Sequence, residues 1–286
     1  MARPTRIEFA GAVYHVCSRS EAGEAVFVDD IDRQALLTVL GQAMQRFDAQ
    51  VLAFCLMPDQ FNLLLFTRQA NLSRLMRHIN GVYTQGYNRR HGTSGHLFQG
   101  RFKAVLVDRE ALLLDACRYV ELNPQRVGLV RSAADWPWSS CRAHLGLAEP
   151  PAWLDVDGLH SHLLERPALS SADHRRAAER YARLLAADPN LDLWQGHLRQ
   201  QIFLGDAKFA ERMQAMTRQR RRGAELPRSG RQRSFAQWLG DCGSREQALY
   251  RAHTEGGISM TALAGELGLS VSRISRLIKG VERGAG

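Results

Sequence analysis

The first 122 residues alternate between short apolar segments and amphipathic segments. Four strands are predicted, at Ala12 to Ser18, Val51 to Leu56, Phe61 to Thr67 and Phe102 to Val107. Helices are predicted from about Ile31 to Phe47, from Leu72 to about Arg89, and from Asp108 to the Asn123-Pro124 break. The order β-α-β-β-α-β predicts an α+β fold with a ferredoxin-like split βαβ domain, whose antiparallel sheet carries its helices on one face.

The first helix is predicted to bury a single face. Asp29 and Asp30 are candidate N-caps, because a carboxylate accepts hydrogen bonds from the free N–H groups of a first helical turn. Ile31, Leu36 and Leu40 lie on the apolar side of the three-four spacing, so we expect all three in the core.

Beyond residue 148 the sequence changes character. Pro150-Pro151 indicates a boundary, and the segment that follows is amphipathic and helical. Between residues 218 and 233, seven arginines stand against one acid, which predicts a mobile basic linker. We therefore expect an α+β domain at 1–148, an all-α middle region at 149–217, an Arg-rich linker at 218–234 and a small helical unit at 235–286.

The C-terminal unit has the pattern of a helix-turn-helix. A short helix is predicted from Met260 to Leu267, Gly268 suits the left-handed turn, and a second helix follows from Val271 to Lys279. In such units the second helix enters the major groove of DNA. The alternative is a three-helix bundle with incidental surface arginines.

The composition favours a nucleic-acid partner. The 286 residues carry a formal net charge of +9, and 35 of the 38 basic residues are arginine, whose planar fork suits phosphates and guanine edges. A GC-rich genome also encodes arginine in place of lysine, and we expect both nucleic-acid binding and genome composition to contribute to the excess of arginine. The longest wholly hydrophobic run has seven residues, so no membrane partner is expected. No signal-peptide core is present, and the five scattered cysteines form neither a disulfide framework nor a zinc motif, which predicts a cytoplasmic, nucleoid-associated protein.

Several linked motifs carry a resemblance to a known family. They are Arg3-Pro-Thr-Arg-Ile-Glu-Phe, Tyr14-His15-Val16, Cys55-Leu-Met-Pro-Asp, Gly95-His-Leu-Phe-Gln-Gly-Arg-Phe-Lys, Arg118-Tyr-Val-Glu-Leu-Asn-Pro and Trp136-Pro-Trp-Ser-Ser. In this order they resemble the REP-associated tyrosine transposases, which are IS200-like, single-tyrosine enzymes. The resemblance covers about residues 1 to 146, so the 1–148 segment is interpreted as an IS200-like transposase domain.

The resemblance implies a catalytic centre, and this chain lacks two of the side chains that the centre requires. In the family, two histidines spaced one residue apart bind a divalent ion, and a helix supplies a tyrosine that attacks a DNA phosphate. The tyrosine falls on Tyr119, and a third ligand falls on Asn123. The histidine pair falls on Gln60 and Asn62. Neutral amides bind Mg²⁺ or Mn²⁺ weakly, so we expect Tyr119 to be a vestigial or weak nucleophile and the site to hold no metal.

A His-x-His sequence occurs elsewhere in the chain, at His160 and His162. It lies in a predicted helix, where residues two apart diverge by about 200°, and ordinary surface histidines are the expectation there.

DNA contacts are expected from three groups of residues: the transposase-like domain, the linker and the second helix of the C-terminal unit. These residues are Arg3, Arg6, Arg89, Arg90, Arg101, Lys103, Arg220, Arg221, Arg222, Ser272, Arg273, Arg276 and Lys279.

The sequence thus favours a catalytically impaired, transposase-derived DNA-binding protein that acts as a transcriptional regulator and is no longer an enzyme. Its expected partner is duplex DNA, or hairpin DNA with a single-stranded tag, and no cofactor is expected. The alternative is an active single-strand endonuclease or transposase, dependent on Mg²⁺ or Mn²⁺, that uses Tyr119 to form a 5′-phosphotyrosine intermediate. The target site, the sign of regulation, a small effector and the choice between monomer and dimer stay open.

Overall fold

The protein, as a computed structural model, is described over residues 7–20, 23–225, 234–254, 258 and 260–284. Its strands in these ranges are β1 (Ala12–Arg19), β2 (Ala49–Met57), β3 (Gln60–Thr67), β4 (Lys103–Val107), β5 (Leu198–Arg199) and β6 (Phe203–Leu204). Its helices up to residue 225 are α1 (Asp30–Phe47), α2 (Leu72–His91), α3 (Arg109–Glu121), α4 (Asn123–Arg126), α5 (Cys141–His144), α6 (Val156–Leu164), α7 (Ser171–Ala187) and α8 (Ala207–Glu225). Among the described helices, none combines the length and apolar character that a bilayer span requires.

The six strands form one sheet in the order β2-β3-β1-β4-β6-β5. The first four pair antiparallel, as the split βαβ pattern predicts. The α+β class and the four main strands are therefore confirmed.

The sheet is covered on both faces, so the expectation of helices on one face was wrong. Alternate residues of β1 separate the two cores: Tyr14 and Val16 pack with the α1 and α2 side, whereas Val13 packs with α3, α6 and α7. This burial explains the continuous apolar run of β2, because a strand that is buried on both sides needs apolar residues at every position.

Helix α1 buries a slightly different stripe from the predicted one. Asp29 caps it, accepting from the N–H groups of Ile31 and Asp32. Leu36 and Leu40 are buried as expected, but Ile31 is 63% exposed and Asp32 is 2% exposed. Asp32 turns inward because Arg90 and His91, at the end of α2, bind its carboxylate.

The middle region is continuous with the sheet domain, and the two form one compact unit that ends at Thr217. The N–H groups of Leu106 and Asp108 donate to the carbonyl oxygens of Ile202 and Leu204, at 2.9 and 2.8 Å, which pairs β6 parallel to β4. Strands β5 and β6 correct the all-α prediction for 149–217. Gly41 of α1 also permits a close approach by this region, because a Cβ there would lie 2.8 Å from the indole of Trp153.

The second unit begins at Arg218 and is a small helical bundle. Its helices in the described ranges are α9 (Phe235–Asp241), α10 (Arg245–Thr254), α11 (Met260–Leu267) and α12 (Val271–Gly284). Gly268 has φ +63°, as the left-handed turn between α11 and α12 requires. Ile274 and Ile278 are buried, whereas Val271 is exposed.

Part of the predicted linker is regular structure. Helix α8 continues to Glu225, so residues 218–225 are helical where a mobile segment was expected. Residues 226–233, the rest of the arginine-rich stretch, lie outside the described residues.

Candidate functional site

The residues at the predicted catalytic positions lie on the face of the sheet that α3 covers. In the strand register Asn62 is the partner of both Cys17 and Cys55, and Cys17 is in turn the partner of Lys103. Directly paired residues point to the same face of a sheet. Gln60 lies one step along the same face, opposite Arg19. A row of polar and thiol side chains thus crosses the sheet at the level of Gln60 and Asn62, the positions onto which the resemblance places the histidine pair.

Tyr119 projects from α3 onto this face and is half-buried. Its ring meets His15 of β1 edge-on, with 5.9 Å between centroids, and Trp194 at 5.1 Å. His15 and Trp194 are also 5.1 Å apart, so the three rings form one aromatic cluster. Trp194 follows Tyr119 by 75 positions, and no local pattern in the sequence connects the two.

Arg126 is the cation of this cluster, and sequence reasoning missed it. Its guanidinium carbon lies 3.8 Å from the centroid of the Tyr119 ring, which is a cation–π contact. The same guanidinium donates to Oδ1 of Asn123 and, at 3.4 Å, to the carbonyl oxygen of Leu191. Pro124 signals only the helix that carries Arg126, because proline is favoured in the first turn of a helix and α4 starts at Asn123.

His15 is neutral in this setting. Burial, with a smaller contribution from the nearby charge of Arg126, lowers its pKa from 6.5 to about 4, while a hydrogen bond with Asn62 acts in the opposite direction. Its Nε2 and the Nδ2 of Asn62 are buried, and neither has a hydrogen-bond partner among the described residues. Buried polar atoms without a hydrogen-bond partner are rare, and they show that the protein alone does not satisfy all the hydrogen-bonding groups of this face.

The residues present do not fit the divalent metal ion that the resemblance implies for the family. The three positions hold neutral amides, and two of their oxygens are already in use. Gln60 Oε1 accepts from the Cys17 thiol at 3.5 Å, and Asn123 Oδ1 accepts from the Arg126 cation. No group of three or more histidine, cysteine or acidic side chains in the described ranges could hold a metal. Hard cations prefer carboxylate oxygens, and a guanidinium beside the site repels them.

The predicted DNA-contacting residues are in three situations. Arg89, Arg101, Lys103, Arg273 and Arg276 are exposed. The backbones of Arg220, Arg221 and Arg222 lie in α8, and those of Ser272 and Lys279 lie in α12, but the side chains of these five are outside the described part of the chain. Arg3 and Arg6 lie outside the described residues altogether.

Arg90 is the exception among the exposed cations. It forms ion pairs with Asp29 and Asp32 and joins the end of α2 to the start of α1. These bonds hold the pKa of Asp29 at about 2, well below its ordinary value, so the carboxylate remains charged at neutral pH. Arg90 therefore has a role in the fold, and its contact with a DNA phosphate stays a prediction.

A second polar cluster lies at the end of α3 and was also missed. Glu121 is fully buried and accepts from Nδ1 of His144 at 2.6 Å, from the hydroxyl of Tyr181 at 2.8 Å, and from the hydroxyl of Ser140. This carboxylate thus ties α3 to α5 and α7. The sequence signal was weak, because the four residues are spread over 61 positions.

His160 belongs to the same region and is 2% exposed, which corrects its expectation as a surface histidine. Its Nε2 donates to the carbonyl oxygen of His144 at 2.9 Å, so in the neutral ring Nδ1 is an acceptor. The Nδ1 of His174 lies 2.9 Å from that acceptor and is therefore its donor. His162 takes no part in this series of hydrogen bonds, as expected for side chains two residues apart on a helix, which point in different directions.

A family model and solved structures match part of the chain. Residues 9–123 match the family model described as "Transposase IS200 like". A solved REP-associated tyrosine transposase bound to a REP hairpin aligns with 16% identity and a TM-score of 0.45, over 53% of this chain and 89% of that one. A transposase-like protein from Deinococcus radiodurans aligns with 18% identity and a TM-score of 0.30, over 42% of this chain and 96% of that one. None of the curated proteins matches the sequence.

Proposed function

We propose, from the match of residues 9–123 to the IS200-like transposase family, that this protein is a DNA-binding protein derived from such a transposase. It is catalytically impaired, holds no metal at the catalytic positions and acts as a transcriptional regulator. Its partner is duplex DNA, or hairpin DNA with a single-stranded tag.

The observation that carries the proposal is the identity of the residues at the three positions that bind the metal ion in the family. A tyrosine hydroxyl, with an ordinary pKa of about 10, needs an activating group to attack a phosphate at neutral pH. In the family a metal ion meets that need. Here Gln60 and Asn62 replace the histidines, and Asn123 is engaged by Arg126. The side chain that would attack is retained, while the ion that would polarise the phosphate has no adequate ligands.

Binding of DNA is supported by exposed cations on both units. Arg89, Arg101 and Lys103 are exposed on the first unit, and Arg273 and Arg276 are exposed on α12. Such side chains neutralise phosphates and make binding salt-dependent. Helix α12 follows α11 after a glycine turn, which is the arrangement in which a second helix reads the major groove.

A cleavage assay tests the impairment. The full chain is incubated with hairpin-tagged single-stranded DNA and Mg²⁺ or Mn²⁺, beside Tyr119→Phe. We expect neither protein to nick the DNA or to form a covalent adduct, because the phosphate is not activated. The matched control is the double variant Gln60→His/Asn62→His, which restores the imidazole pair and is expected to gain metal-dependent nicking.

Nicking by the natural chain that disappears in Tyr119→Phe would overturn the proposal in favour of the active endonuclease. Failure to bind duplex or hairpin DNA at moderate salt would overturn the DNA-binding role itself.

A further inference from the structure

Two histidines of the middle region face each other where α6 meets α7. His160 lies on α6 and His174 lies on α7, and their Nδ1 atoms are 2.9 Å apart. His160 is 2% exposed, whereas the side chain of His174 is 34% exposed. The pair is therefore anchored in the protein on one side and open to solvent on the other.

A cavity of about 390 Å³ lies beside the pair. Both histidines line it, together with apolar residues that include Leu145, Leu147 and Ala178. The segment after α5 and one face of α7 thus form a recess with two imidazoles in its wall, and a small solute can reach them from solvent.

The hydrogen bonds of the pair leave one conflict when both rings are neutral. Nε2 of His160 donates to the carbonyl oxygen of His144 at 2.9 Å, so its Nδ1 accepts from Nδ1 of His174. A neutral His174 that donates through Nδ1 has a lone pair on Nε2. That nitrogen lies 3.7 Å from Oδ1 of Asp157, so two acceptors face each other. The contact is favourable only when Nε2 of His174 carries a proton.

A metal ion held by the two Nδ1 atoms removes the conflict. The ion takes the place of the shared proton, and His174 then carries its proton on Nε2, towards Asp157. Each ring ligates through one nitrogen and donates through the other, His160 to a main-chain carbonyl and His174 to a carboxylate. Metal-binding histidines are typically oriented by such outer hydrogen bonds. A second proton on His174 provides the same donor, and a metal titration distinguishes the two.

The distance between the rings suits a tetrahedral ion. Zn–N bonds of about 2.0–2.1 Å, at a tetrahedral angle, place the centroids of two imidazoles about 5.2 Å apart. The centroids of His160 and His174 are 5.2 Å apart. Binding therefore requires the rings to turn in place and leaves the spacing of α6 and α7 unchanged.

The type of ligand selects the class of metal. Imidazole nitrogen suits Zn²⁺, Ni²⁺ and Cu²⁺, whereas Mg²⁺ and Ca²⁺ prefer oxygen ligands. Asp157 beside His174 and Glu179 in the cavity wall bring two negative charges to this region, against the one positive charge of Arg175. The local charge thus favours a cation.

We propose that His160 and His174 bind one Zn²⁺ ion through their Nδ1 atoms, with water in the remaining coordination positions. In the described ranges no group of three histidine, cysteine or acidic side chains could hold a metal, so this site has two protein ligands and is open to solvent. The ion joins α6 to α7. Other elements form the positions of Gln60, Asn62 and Asn123, and the zinc site does not rest on the proposed function.

Calorimetric titration of the full chain with Zn²⁺, in a non-chelating buffer with a non-thiol reductant, tests the site. We expect saturable binding of one ion to the pair. His174→Gln should weaken this binding by more than about 100-fold, beyond the range for loss of an outer partner, and Asp157→Asn should weaken it by about tenfold. The matched control is His162→Gln, also on α6, which should bind Zn²⁺ as the natural chain does.

The identity of the ion provides a second control. Mg²⁺ should produce no binding that His174→Gln removes. Equal Zn²⁺ affinity in the natural chain and in His174→Gln would overturn the proposal, and so would the absence of saturable Zn²⁺ binding. Either result assigns the extra positive charge at His174 to a proton and leaves the proposed function intact.

A measurement on the natural chain guards against variants that fail to fold. Diethyl pyrocarbonate modifies accessible imidazoles, and mass spectrometry locates the products. When free Zn²⁺ is 100 times its Kd, mass action should slow the modification of His174 by about 100-fold. The exposed His96 should react at an unchanged rate. Undiminished modification of His174 at saturating Zn²⁺ would overturn the site.

Discussion

At the scale of single residues, His15 is the most unusual group of the α3 face. It is enclosed by Tyr119, Trp194 and Asn62, and its Nε2 is buried without a partner among the described residues. Burial and the Arg126 charge keep the ring neutral well below the pH at which a free imidazole takes up a proton. A neutral ring in this position makes the stability of the protein depend on pH.

The sign of that dependence follows from the two pKa values. In the unfolded chain His15 takes up a proton below pH 6.5, whereas in the folded protein it does so only below about 4. Within this window the unfolded state binds more protons, so the free energy of unfolding falls as the pH falls, by about 3 kcal/mol over the window. Urea unfolding above and below the window should show a smaller loss in His15→Phe than in the natural chain.

The control for this measurement is His96→Gln, because His96 is exposed in the loop before β4. This variant should lose as much stability on acidification as the natural chain. An unchanged pH profile in His15→Phe would show that His15 does not titrate as the buried geometry requires.

At the scale of elements, the buried carboxylate of Glu121 joins three helices. Its three donors come from Ser140, His144 and Tyr181, and two of these side chains are fully buried with it. The attachment of α7 to α3 therefore depends on a polar centre as well as on apolar packing. Such centres are sensitive to loss of one partner, because the others are left without water or protein to bind.

We expect Glu121→Ala to lower the free energy of unfolding by about 3 kcal/mol or more, since it leaves the buried donors of His144 and Tyr181 unpaired, whereas the Ser140 hydroxyl keeps the carbonyl oxygen of Phe54 as an acceptor. Tyr181→Phe keeps the ring and removes one bond, and a loss of about 1.5–3 kcal/mol is expected. Denaturant unfolding monitored by circular dichroism measures both. Glu179→Ala, at an exposed position of α7, should change the value by less than about 0.5 kcal/mol. Equal losses in Glu121→Ala and Glu179→Ala would contradict a structural role for the cluster.

The local pattern of apolar and polar residues predicted most of the helices and strands but only part of the candidate functional site. Strands β1 to β4 and helices α1 to α3 carry enough apolar periodicity to be found, and the resemblance placed Tyr119 and Asn123 in one site, although they lie on different helices, α3 and α4. Strands β5 and β6 have two residues each, too few for any periodicity. Asp32 turns inward because of Arg90 and His91, which are distant in sequence, and Trp194 reaches Tyr119 in the same way. These contacts are tertiary, so no window of sequence contains them.

At the scale of the whole molecule, the middle region completes the sheet domain. Without residues 149–217, β4 would be an edge strand with unpaired N–H groups at Leu106 and Asp108, and the apolar side of α3 would lose α6 and α7. Exposed strand edges and apolar faces promote aggregation. The C-terminal unit, in contrast, has a buried core of its own around Trp238, Leu249 and Ile274.

Two truncations test this organisation. A fragment of residues 1–148 is expected to aggregate, whereas residues 1–217 should stay soluble and melt cooperatively, as followed by calorimetry and light scattering. The 1–217 fragment should also lose duplex DNA binding, because it lacks α12. A soluble, cooperatively folded 1–148 fragment would contradict the role of β6, and undiminished duplex affinity of 1–217 would show that α12 is not the reader.

The parallel pairing of β6 with β4 also bears on how the chain is made. Val107 and its partner Leu204 are separated by about a hundred residues. At a synthesis rate of about 5–20 residues per second, the first four strands leave the ribosome about 5–20 s before the segment that covers their edge. During that interval the nascent sheet is open at β4, and this is the stage of biogenesis at which the protein has the greatest need of a chaperone.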